Sequence, residues 1–131
     1  MIRFSLDEIK KSQAASELNF INRGIEKESL RIDSSGQISQ QVHPNGLGAA
    51  LTNPYITTDF SEALLELVTP TFTSASDCLK FLSDLHIFVN QNLEEESLWP
   101  LSMPCLIESE NDIPIGYYGK SNHGMMKTVY R

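Results

Sequence analysis

The sequence has little of what several common functions require. Only two of its 131 residues are cysteine, Cys78 and Cys105, and they form no close-spaced metal motif. No Cys/His cluster suggests zinc. The expected setting is the cytoplasm, with thiols mostly reduced. Basic residues are scarce, 10 against 17 acidic, for a net charge of -7. That argues against a nucleic-acid partner, which needs a basic patch. No apolar run approaches the roughly 18 residues of a membrane span. The first residues, Met-Ile-Arg-Phe-Ser-Leu-Asp-Glu, lack the apolar core of a signal peptide. No internal repeat, low-complexity tract or linker divides the chain. Two phosphate-cradling motifs are missed narrowly. His43-Pro-Asn-Gly-Leu-Gly48 has two glycines but is not a GxGxxG turn. Tyr117-Tyr-Gly-Lys-Ser-Asn122 resembles the end of a P-loop, but Pro114 stands where its first glycine must be.

What is present fits one domain of ordinary globular composition, 40% hydrophobic and 21% charged. The informative stretch is Arg23 to Ile32. As a strand it alternates between two faces. One carries Gly24, Glu26, Glu28, Leu30 and Ile32. The other carries Arg23, Ile25, Lys27, Ser29 and Arg31, and its basic and polar content suits water. Two glutamates on the side that ends in core residues are costly unless their charge is compensated, and a divalent cation would do that. The same nine or ten residues also read as a solvated, charged strand.

The remaining elements follow in order. Ser5 with Glu8 predicts a capping box for a helix over 5–22, with Ile9, Ala15, Leu18, Phe20 and Ile21 as a partial stripe. Asp33-Ser-Ser-Gly36 is a turn, after which residues 37–41 return as a short hairpin partner. A short helix enters through Ala49-Ala50-Leu51. Residues 61–69 read as a strand with Ala63, Leu65 and Leu67 on a wholly apolar face. Its other face holds Glu62, Leu64, Glu66 and Val68. Ser74 to about Glu95 is the clearest helix, with Leu79, Leu82, Leu85, His86 and Val89 at helical spacing. His86 reads as a satisfied helix histidine rather than a ligand. Glu94-Glu-Glu96 reads as a solvated acidic run. Trp99, Leu101 and Met103 are expected to pack, and residues 123–131 to open a last helix. The fold class is α+β: an antiparallel or mixed sheet with the helices near 5–22 and 74–95 on one face, and carboxylates on the other.

Glu26, Glu28 and Glu66 are then three carboxylates on two candidate strands, with Asp59 and Glu62 nearby. Neighbouring strands lie about 4.8 Å apart, so pairing can gather the three around one or two hard cations. Mg²⁺ takes a few carboxylates plus waters and substrate phosphates, and it stabilises charge on a transferred phosphoryl group.

Four blocks in order carry a resemblance. They are Gly24-Ile-Glu-Lys-Glu-Ser-Leu-Arg31, the run from Ile56 to Pro70, Leu98-Trp-Pro-Leu-Ser-Met-Pro-Cys105, and Tyr118-Gly-Lys-Ser-Asn-His-Gly124 with Lys127-Thr-Val-Tyr-Arg131. Together they resemble the proteobacterial glutamate–cysteine ligases from about Asn22 onward. The resemblance implies part of a glutamine synthetase-like fold and an ATP-dependent reaction. ATP phosphorylates the side-chain carboxylate of glutamate, and the amine of cysteine displaces phosphate to give γ-glutamylcysteine, the first step of glutathione synthesis. It implies Mg²⁺ at Glu26, Glu28 and Glu66, and substrate contacts from Tyr130 and Arg131. It matches Cys105 to a cysteine whose partner lies later in the enzyme. Members of the family are several times longer, so residues 1–131 are expected to be one N-terminal fragment of the catalytic domain. Such a fragment would be inactive alone, with the missing C-terminal portion as its partner. The alternative is a truncated remnant that binds Mg²⁺ or a partner chain through an exposed sheet edge.

Overall fold

The computed structural model describes residues 5–12, 14–17, 20–118, 120 and 122–129. Four strands, β1 (Glu26–Ile32), β2 (Ile56–Thr58), β3 (Leu64–Val68) and β4 (Ser97–Leu98), form one antiparallel sheet in the order β2-β3-β1-β4. The helices are α1 (Leu6–Lys11), α2 (Ala14–Glu17), α3 (Ala75–Asn92) and α4 (Asn122–Val129).

The core follows from alternation. Leu65 and Leu67 of β3 and Ile56 of β2 are buried on one face, where Val89, Leu93 and Leu47 close over them and Leu82, Leu85 and Leu98 pack alongside. Helix α3 supplies this layer. It starts where Ser74 Oγ accepts the Asp77 N–H at 3.3 Å, which satisfies one of the free donors of its first turn. His86 is half-buried on α3, and burial, then the Lys27 cation, pushes its pKa down. A cationic neighbour makes a poor setting for a metal ligand.

The expected helix over 5–22 is much shorter. The Ser5–Glu8 capping box forms, but α1 ends at Ser12 and buries no residue. A short helix without an apolar face to bury gains little from packing, and Phe20 and Ile21 stay exposed. Ala49 to Leu51 is a turn, and the local helix is instead a 3₁₀ turn at Asn45–Leu47. The return after Gly36, whose φ is +84°, is limited to single bridges, Ile38 with Ile32 and Gln37 with Leu106.

Three further expectations are reversed. The face of β1 assigned to water is the buried one: Ser29 is 4% exposed and Arg31 is 0% exposed. Alternation fixes which residues share a face, but not which face a helix covers. Arg31 tolerates burial because both terminal nitrogens of its guanidinium are engaged, although its buried Nε finds no partner among the described residues. It donates to both Glu96 carboxylate oxygens at 2.7 and 2.8 Å, and to the carbonyls of Gln41, Glu62 and Val42. Glu96 is therefore no solvated end of an acidic run. It is the partner of a buried guanidinium, and it also accepts from Ser39 Oγ. Leu101 and Met103 are exposed, while Trp99 is half-buried and donates Nε1–H to the Met103 carbonyl at 2.7 Å.

Candidate functional site

The open half of the sheet carries the carboxylates. In the antiparallel register Glu28 faces Glu66, Glu26 faces Val68, and Thr57 faces Glu66 from the other side. Directly opposed side chains have Cβ atoms about 4.5–5.5 Å apart. Glu26, Glu28, Glu66 and Thr57 thus share one face, opposite the α3 layer. Further along β1 on this same face, Leu30 and Ile32 are covered, packing with the cluster of Ile38, Ala63, Cys105, Trp99, Ile107 and Ile113. On this face the strand runs from an exposed acidic end at Glu26 into a covered apolar one at Ile32.

The electrostatics are unfavourable as they stand. Partial burial, then Glu26, Asp59 and Glu28 in that order, push the Glu66 carboxyl above its ordinary value of 4.5. Among the described residues the ion pairs are Arg31–Glu96 and Lys80–Asp84, and neither neutralises Glu26, Glu28 or Glu66. A raised folded pKa means that the native chain holds the proton more tightly than the unfolded chain. Glu66 therefore costs nothing below about 4.5 and costs stability as pH rises through its raised folded value. Glu66→Gln is expected to match the original chain in urea midpoint near pH 4, and to exceed it near pH 7. Equal midpoints at both pH values would contradict the like-charge account.

The donor set suits a hard cation, since it is all carboxylate with a hydroxyl beside it. Among the described residues no three His, Cys, Asp or Glu side chains are already gathered where a metal ion could sit. The backbone sets the face, and closure on a cation would take glutamate side-chain rotation between staggered rotamers.

Of the other expected groups, Asp59 joins this region through its charge on Glu66. Glu62 does not. It sits in the β2–β3 turn, where its two carboxylate oxygens accept the N–H groups of His43 and Tyr117, each at 2.8 Å. Strand β3 begins only at Leu64, so the expected face of residues 61–69 starts later than read. Tyr130 and Arg131 lie outside the described residues. Cys78 and Cys105 are buried free thiols, and burial pushes the Cys105 thiol up. Thr57 was missed in the sequence. The Thr58-Asp-Phe-Ser-Glu-Ala-Leu64 turn, once seen as a hairpin, places it opposite Glu66.

A family model described as glutamate-cysteine ligase matches residues 6–131. The chain belongs to the glutamate–cysteine ligase family. The glutamate–cysteine ligase of Pseudoalteromonas translucida is 53% identical over 127 residues, covering 97% of this chain and 24% of that protein. That of Alcanivorax borkumensis is 53% identical, covering 92% of this chain and 23% of that protein. Among solved structures, the Francisella tularensis glutamate–cysteine ligase in complex with AMP aligns with a TM-score of 0.76 and 43% identity. That alignment covers 82% of this chain and 22% of that one. A bifunctional glutathione synthetase from Pasteurella multocida aligns with a TM-score of 0.75 and 34% identity, covering 90% of this chain and 16% of that one. The chain thus spans about a quarter of the length of the ligases it matches. The α+β sheet with its helix layer is the fold expected from the sequence. No helix among the described residues is long and apolar enough to cross a membrane.

Proposed function

We propose that residues 1–131 are an N-terminal portion of a glutamate–cysteine ligase catalytic domain and supply its carboxylate metal centre. The reading rests on one observation: Glu28 directly opposite Glu66, with Glu26 on the same exposed face. Glu26, Glu28 and Glu66 would hold Mg²⁺, which when bound offsets charge on a transferred phosphoryl group. The chain's own residues do the placing. Strands β1 and β3 fix the spacing, and the buried Arg31 fixes the end of β1. The reaction is transfer of a phosphoryl group from ATP to the side-chain carboxylate of L-glutamate. The amine of L-cysteine then attacks the acyl phosphate, the C–O bond to phosphate breaks, and γ-glutamylcysteine, ADP and phosphate result. Tyr130 and Arg131 are the proposed substrate contacts. The cytoplasm is the setting proposed for this reaction.

The test is ADP release with Mg-ATP, omitting glutamate and cysteine in turn. The purified chain alone is expected to release none above a boiled control. Adding the rest of the Pseudoalteromonas enzyme in trans is expected to give release that requires glutamate and rises with cysteine. Release by the chain alone, or none from a complex that does form, contradicts this reading. The second of these outcomes favours a remnant that binds Mg²⁺ or a partner through its sheet edge.

A further inference from the structure

The β2–β3 turn carries Asp59 at one end and Glu62 near the other, and it is stitched to two loops distant in sequence. The Glu62 carboxylate accepts the His43 N–H with Oε1 and the Tyr117 N–H with Oε2. Its backbone is held as well: the Glu62 N–H donates to the Pro114 carbonyl at 2.8 Å, and the buried Arg31 donates to the Glu62 carbonyl at 2.9 Å. The same loops wall an open cleft lined by His43, Asn45, Thr58, Glu62 and Tyr118. Asp59 lies two residues beyond Thr57, which faces Glu66, and its N–H donates to the Leu64 carbonyl at 3.0 Å. Alternation puts Asp59 on the Thr57 side of the strand, towards the carboxylates.

We propose that Glu62 is a positioning residue: it clamps the His43 and Tyr117 loops to the β2–β3 turn and thereby fixes Asp59 beside Glu66. Its bearing on metal rests on the ligase reading above. Each backbone N–H bonded to a carboxylate is a charge-assisted contact, and losing such a contact is more costly than losing a neutral one. The two N–H groups meet different oxygens, and glutamine at position 62 replaces one of these by an NH₂ donor, so one contact is lost. Alanine serves neither.

The experiment uses the whole 131-residue chain and reads amide hydrogen exchange by NMR together with Mn²⁺ affinity. In E62Q, exchange at His43 or Tyr117 is expected to quicken about tenfold, and in E62A at both. Asp59 exchange should quicken with them. The Leu93 amide, bonded to Val89 O at 3.1 Å, should stay unchanged and so report that α3 remains folded. Mn²⁺ affinity should fall about tenfold, because the Asp59 charge that acts on the proposed ligand Glu66 is no longer held in place, an outer-shell effect of the usual size. Unchanged exchange at His43, Tyr117 and Asp59 in E62A would overturn the clamp. Faster exchange with unaltered Mn²⁺ affinity would overturn the positioning role. If the original chain takes up no Mn²⁺, the metal reading fails, and the clamp stands or falls on Asp59 exchange alone.

Discussion

Arg31→Ala is expected to destabilise the chain by about 3–5 kcal/mol, the usual loss when one partner of a buried ion pair is removed. The side chain is fully buried, and Glu96, with which it pairs, is only 9% exposed at its side chain. Truncation strands that carboxylate and also the carbonyls of Gln41 and Glu62. Arg31→Lys should not rescue it, because one ammonium cannot reproduce a planar fork shared among four residues. Replacing Arg31 and Glu96 together by Met separates the two causes. Apolar replacement of an isolated buried pair is often neutral or stabilising. Here the double variant should stay about 1–3 kcal/mol below the original for each buried acceptor left unsatisfied. Urea unfolding of the three variants measures this, and a double variant as stable as the original would show that the carbonyl contacts contribute nothing.

The second large effect concerns metal. The Glu28→Gln, Glu66→Gln double variant is expected to be more stable than the original chain without metal, because the opposed like charges are gone. With Mg²⁺ the order should reverse. A ligand at a hundred times its dissociation constant stabilises the native state by about 2.7 kcal/mol, and the double variant should gain almost none of this. An equal Mg²⁺ response in both proteins would place the metal elsewhere. The paired signs matter, since a variant that merely damaged the fold would lose stability in both conditions.

The apolar side of the fold was legible because its period was clean. Leu65 and Leu67 announced a covered face, and Ser74 with the leucine stripe announced α3. The acidic side was legible in part: Glu26 and Glu28 two apart, and Glu66 on a second strand, place three carboxylates on one sheet. Their shared face came only with the register. Arg31 was misread for a physical reason. A cation in a strand signals water unless its partners are known, and those partners are Glu96, Gln41, Val42 and Glu62, distant in the chain. Glu62 was misread because a turn interrupts the alternation before Leu64. The helix over 5–22 failed because propensity and a good cap do not hold a helix that buries nothing.

The most direct test of the carboxylate centre is an Mg²⁺ titration of the chain followed through the side-chain carboxyl ¹³C signals. Glu26, Glu28 and Glu66 are expected to shift together along one saturable curve, while exposed Glu94, Glu95 and Glu110 move little. Equal, unsaturated drifts across all six would mean that the cation meets only a diffuse acidic surface, and the proposed metal centre would be wrong.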